Sequence, residues 1–180
     1  MDNCEQGTAS FIEIESLLRT VEEAKKGLDY EVGTLISRNG VVLKEYHGGA
    51  HYISTPEADL PLFEGNIFTH NHPSGRCFTQ EDILRFIRDR LREVRVSTPK
   101  GIVFSLKEGE GEINRSIANV MKEENIGSYI HAAHLMNERQ LDLTGTEYQV
   151  KLFDIMGNEV DEWLTQNAQE FGYIYSKGEL

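Results

Sequence analysis

The sequence predicts an α+β fold: a mixed β-sheet flanked by helices, with an α-rich C-terminal extension. Three observations predict it. A helical apolar period opens the chain and gives way to two strand-like runs joined by Arg38-Asn39-Gly40. An apolar run over Asn66 to His72 follows, with helical periodicity resuming at Gln80. Beyond Gly109 the pattern is mostly helical again. Helix, hairpin, strand, helix and strand in that order suit a mixed sheet with helices packed on it.

Ser10-Phe11-Ile12-Glu13 has the form of a capping box, a serine N-cap with a glutamate three residues on. Apolar residues recur at Ile14, Leu17, Leu18, Val21, Ala24 and Leu28, and Gly27 and Asp29 mark the stop. Glu31 to Ser37 reads as a strand, and Val41 to Tyr46 as its return after an Asn-Gly turn. His51 to Ser54 reads as a short strand, and Pro56 to Glu64 as irregular or a short helix. Asn66 to His72 is a buried strand, and Pro73 to Phe78 a loop. Gln80 to Val94 is helical, with Ile83, Leu84, Ile87, Leu91 and Val94 on one face. Val94 to Ser97 and Gly101 to Lys107 read as strands. In the last third, Ile113 to Asn125, Ser128 to Glu138 and Val160 to Phe171 look helical. Tyr148 to Ile155 alternates like a strand, and Tyr173 to Tyr175 suits a final one.

The 180 residues suffice for one domain with a substantial core. No apolar run approaches the roughly 18 residues that span a bilayer. The acidic start, Met1 to Glu5, lacks the basic and apolar regions of a secretory signal, so a cytoplasmic protein is expected. The net charge of −12 argues against a nucleic-acid partner. The densest basic run, Arg85, Arg88, Arg90, Arg92 and Arg95, is broken by Asp89 and Glu93 and reads as a solvated helix face. Two cysteines, Cys4 and Cys77, make no disulfide framework.

The chemistry concentrates in His70-Asn71-His72-Pro73-Ser74-Gly75, followed by Thr79 and Asp82. Side chains two apart on a strand share a face, so both imidazoles aim at one point while Asn71 faces away. Pro73 lacks an N–H and ends the strand pairing. Thr79 suits a helix N-cap, which puts Asp82 in the first turn, its carboxylate within reach of the histidines. Two imidazoles and a carboxylate suit zinc better than magnesium or calcium and leave one position open for a water. A carboxylate outside the ligand set must then move protons. Glu31, opening the first strand, and Glu45, on the returning one, are the candidates. Thr79 and Asp82 also read as a capping box, which by itself would make Asp82 a helix-stabilising residue. Other sites with similar wording do not fit. The contiguous His-Asn-His differs from the dispersed residues of HNH nucleases, and HxHxDH is interrupted by Pro73. An amidohydrolase barrel needs roughly 250 residues. The His-x-Glu and Cys-x-x-Cys of zinc deaminases are missing.

Thr69 to Gly75 with Thr79 and Asp82, after a Glu31-Val32-Gly33-Thr34-Leu35-Ile36-Ser37 strand, resembles the JAB/MPN (JAMM) metalloprotease motif. The His-Asn-His-Pro-Ser-Gly wording is closer to the RadC-like and phage-type prokaryotic branches than to eukaryotic deubiquitinases. Phe78 and Glu93-Val94-Arg95-Val96 resemble wording found in phage head-morphogenesis proteins. The resemblance implies a JAB/MPN-like, cytidine-deaminase-like core over residues 1–108, with 109–180 as an extension packed on it. It implies Zn2+ held by His70, His72 and Asp82. It implies Glu31 as general acid/base on the zinc water and Thr79 as the oxyanion partner, in a hydrolase of peptide or isopeptide bonds. The expected substrate is a protein or peptide, a ubiquitin-like conjugate included. Two departures stand out: six residues separate His72 from Thr79, one fewer than is usual in the family, and Thr79 replaces a serine. The alternatives are a phage or mobile-element assembly module with a structural or vestigial metal, and a RadC-like DNA-associated protein. His131 and His134, one helical turn apart, lack an evident third ligand, and His47 and His51 read as ordinary loop residues beside a glycine loop.

Overall fold

The computed structural model describes residues 10–139 and 143–180. Cys4 lies outside them. Seven strands form one mixed sheet: β1 (Val32–Ile36), β2 (Val42–Gly49), β3 (Tyr52–Ile53), β4 (Ile67–Asn71), β5 (Glu93–Ser97), β6 (Ile102–Glu108) and β7 (Tyr173–Glu179). Their order is β3-β2-β1-β4-β5-β6-β7. β4 and β5 run parallel and every other neighbouring pair is antiparallel. The helices are α1 (Phe11–Lys25), α2 (Gln80–Arg88), α3 (Ile117–Glu123), α4 (Tyr129–Glu138) and α5 (Gly145–Asn167), with short 3-10 turns at Glu57–Leu62 and Ala168–Phe171. The α+β class with a mixed sheet is therefore as the sequence predicts.

Strand alternation divides the sheet into two faces. On one, Leu18 of α1 packs with Ile36 and Ile67. On the other, Leu35, Phe68, Val94, Val96, Phe104 and Leu106 meet Ile83 and Phe86 of α2, Ile117 and Met121 of α3, and Val160 and Leu164 of α5. This second face is the main core, and it carries the candidate site at one end. Residues 109–180 thus add an edge strand, β7 on β6, and apolar side chains to that core. α4 packs on α5 through a smaller cluster, Ala132 and Met136 with Leu152 and Ile155.

α1 begins as its sequence predicts. The Ser10 hydroxyl accepts from the Glu13 N–H, and the Glu13 carboxylate accepts from the Ser10 N–H. Between α1 and the sheet lie buried charges. The Glu22 carboxylate accepts from Arg95 at 2.7 Å and from the Thr69 hydroxyl at 2.8 Å. Lys25 donates to Thr34.

Three elements differ from the sequence reading. α2 stops at Arg88 rather than at Val94. Arg90 takes a left-handed φ of 51°, the chain turns, and Leu91 and Val94 are buried from a turn and a strand. The arginines consequently do not form one helix face: Arg95 lies in β5, ion-paired to Glu22 at 2.7 Å and Glu93 at 3.0 Å. Tyr148 to Ile155 is helical, inside α5, with Leu152 and Ile155 buried. α3 begins at Ile117, four residues later than the periodicity suggested. Among the described residues no helix is long and apolar enough to cross a membrane.

Candidate metal centre

β4 carries His70 and leads directly into His72, and both are 2% exposed. Their Nε2 atoms stand 3.0 Å apart. The strand is extended through His72, whose N–H donates to Ser97 O at 2.8 Å across the parallel β4–β5 pair. The loop returns through Gly75, at φ 77°, a conformation glycine adopts without strain. α2 then starts with a complete capping box. The Asp82 N–H donates to Thr79 Oγ1 at 3.2 Å, and Asp82 Oδ2 accepts from the Thr79 N–H at 2.7 Å and from its hydroxyl at 2.6 Å.

The six-residue loop is long enough to bring Asp82 back. Asp82 Oδ1 lies 3.1 Å from His70 Nε2 and Oδ2 lies 3.5 Å from His72 Nε2. The two readings of Asp82 in the sequence are therefore compatible: Oδ2 caps the helix while Oδ1 faces His70. One donor atom from each of the three residues falls within 4.8 Å of the others, the one such group of histidine, cysteine and acidic side chains among the described residues. A tetrahedral zinc with bonds of about 2.0 Å has ligand atoms about 3.3 Å apart, so these separations fit that ion.

Protonation favours ligation. Burial lowers His72 to about 4, against the pull of Asp82, so its ring is neutral near pH 7. Its Nδ1 lies 3.1 Å from Cys77 O, which suits an Nδ1–H donor and a free Nε2 lone pair. Burial pushes the Asp82 carboxyl upward, but His70 and His72 beside it and the Thr79 hydrogen bond outweigh this and hold it well below the usual carboxylate range. His70 Nδ1 is buried without a hydrogen-bond partner.

Glu31 joins this group and Glu45 does not. Gly33 pairs with His70 across β1 and β4, so Glu31, two residues earlier, shares the histidine face. It is 6% exposed and lines a cavity of about 160 Å³ with His70, His72, Arg76 and Asp82. Burial raises its carboxyl to about 7, with His70 and Arg76 opposing and Asp82 reinforcing the shift. Glu45 pairs instead with His47 at 3.1 Å, out in solvent.

Asn71, facing away from the histidine cluster, holds Glu31 from the opposite face. Its Oδ1 accepts from the Val32 N–H at 2.7 Å and its Nδ2 donates to Tyr30 O at 2.9 Å. Those two backbone groups flank Glu31, so one buried amide fixes the residue between them. The available signal was a polar amide within an otherwise buried strand, since such a group requires partners.

The remaining candidates are elsewhere or otherwise engaged. The Thr79 hydroxyl proton is directed at Asp82, and service to an oxyanion would require exchanging that hydrogen bond. Cys77 is buried, its sulfur 3.3 Å from the Tyr175 hydroxyl, and burial pushes the thiol up to about 12, so it is an uncharged packing residue. His131 and His134 pair separately, with Glu159 and Glu138, each at 3.2 Å. His51 lines the cavity, its ring tilted against Phe153 with centroids 5.5 Å apart, whereas His47 does not reach it.

Comparison with known proteins adds no relative: no family model, curated protein or solved structure matches the chain.

Proposed function

We propose that this chain is a zinc-dependent hydrolase of peptide or isopeptide bonds, of JAB/MPN (JAMM) type, acting on a protein or peptide such as a ubiquitin-like conjugate. The observation that carries the proposal is the convergence of His70, His72 and Asp82 donor atoms within 4.8 Å, with a buried Glu31 in the same cavity. Zinc held by those three side chains would supply a Lewis acid and lower the pKa of a water to roughly 7. Glu31, poised near 7, takes a proton from the attacking water at a carboxylate oxygen as the new C–O bond forms. It returns that proton to the leaving nitrogen as the C–N bond breaks. Asn71 fixes the carboxylate by clamping the backbone on both sides of Glu31, and Thr79 fixes Asp82. A cytoplasmic setting belongs to the same proposal.

The test is metal analysis and cleavage together. Purified protein equilibrated with zinc should hold one ion, lost in both His70→Ala and Asp82→Ala. It should cleave peptide or ubiquitin-like conjugates in a Glu31-dependent manner. Failure to bind zinc sinks the proposal. Zinc binding with cleavage indifferent to Glu31→Gln, or with no cleavage, would favour an assembly module with a structural metal.

A further inference from the structure

The cavity beside the candidate ligands contains three arginines, and two of them are already paired. Arg85 lies 3.6 Å from Asp89, and Arg88 donates to Asp89 at 2.7 Å. Arg76 is half-buried and makes no ion pair within 4 Å among the described residues, and its Nε atom is buried without a hydrogen bond. A buried cationic donor is unfavourable unless something accepts from it. In a chain of net charge −12, this guanidinium lies in the field of the Glu31 and Asp82 carboxylates but makes no direct salt bridge, on the wall of the cavity that holds Glu31, His70 and Asp82.

Its position is built by the C-terminal part of the chain. The Arg76 guanidinium carbon sits 4.8 Å from the ring centroid of Phe153 in α5, within cation–π distance. One turn further along α5, Gly157 lies against the backbone of the loop. A Cβ there would come within 2.9 Å of Arg76 Cβ and 3.2 Å of Cys77 N. Only a residue without a side chain lets α5 approach the loop this closely.

We propose that Arg76 is a specificity-determining residue that binds a carboxylate of the substrate next to the scissile bond, with Phe153 and Gly157 setting its position. The planar guanidinium offers paired N–H groups that match a carboxylate. The carboxylate is either a free chain terminus or an acidic side chain. This inference rests on the hydrolase reading, because it assigns the substrate of that same cavity.

The experiment titrates three blocked peptides into zinc-equilibrated protein, followed by NMR. They are acetyl-triglycine acid, acetyl-triglycine amide, and the amide with a central aspartyl residue. The wild type should bind one of the two carboxylate peptides about tenfold more tightly than the plain amide, and the better of the two identifies the source. In Arg76→Gln this preference should disappear, the carboxylate peptides and the plain amide binding that variant equally, a change in ratio that a general loss of binding through structural damage would not give. No preference in the wild type, or a preference retained in Arg76→Gln, overturns the assignment. If that variant does not fold, Phe153→Ala replaces it, with a reduced preference expected and an unaltered one overturning the proposal. Metal content, measured on the same samples, reports separately on the hydrolase reading.

Discussion

At the scale of single residues, the site depends on which carboxyl is charged. Glu31 is raised from the ordinary 4.5 to about 7, so the folded metal-free protein holds this proton more tightly than the unfolded chain does. Its contribution to stability is complete below about pH 4.5 and is lost as the pH rises to about 7. His72 has the opposite sign. Lowered to about 4, it favours the unfolded chain's protonation, so stability from this residue rises between about pH 4 and 6.5. The difference between wild type and Glu31→Gln isolates Glu31. Above pH 7 the variant should be more stable, by up to about 3 kcal/mol, and at pH 4.5 the two should agree. Urea denaturation at the two pH values measures it. The same variant should lose cleavage by about 10²- to 10⁴-fold while keeping its zinc, and Glu45→Gln should leave cleavage unchanged. Equal losses in the two variants would remove Glu31 from its role.

At the scale of elements, the N-terminus of α2 and the clamp between β4 and β1 hold the site. Thr79→Ala should cost about 1 kcal/mol of stability through the lost cap. It should also weaken zinc binding by about 10- to 100-fold, because Asp82 loses the hydroxyl that orients it and keeps only the backbone N–H of residue 79. Thr79→Ser, which keeps the hydroxyl, should restore most of both, as thermal unfolding and zinc competition can show. Asn71→Ala leaves the Val32 N–H and Tyr30 carbonyl without their partner and should cost about 1–3 kcal/mol, with cleavage reduced and zinc retained. These elements were largely legible in the sequence, since a capping box, an Asn-Gly turn and an apolar strand each act locally. The end of α2 was not. Leu91 and Val94 continue the helical spacing, but they are buried from a turn and from β5, whose parallel partner β4 is remote in sequence. Tyr148 to Ile155 misled in the other direction. Tyr148, Val150 and Leu152 alternate, but Tyr148, Leu152 and Ile155 also keep helical spacing, and packing on α4 selects the helix.

For the molecule as a whole, residues 109–180 share the core and sheet of 10–108. β7 pairs along the full length of β6, and Val160, Leu164 and Tyr173 are buried with Phe86, Phe104 and Leu106. A fragment ending at Glu108 would expose that core and an edge strand of seven residues. It should show neither a cooperative thermal transition nor dispersed NMR resonances, both of which the full chain should have. A well-folded fragment would make the C-terminal part an independent attachment. By itself the sequence determined the α+β class, the two histidines on one strand face, the helix cap and the candidate ligand set, because strand alternation and capping are short-range effects of covalent geometry. Only the tertiary structure put Glu31 in the cavity of the histidines and Glu45 in solvent, enlisted Asn71, and brought Phe153 and Gly157 against Arg76. Those choices depend on strand register and on the docking of α5, where residues far apart in the chain are brought together by burial of a common apolar face.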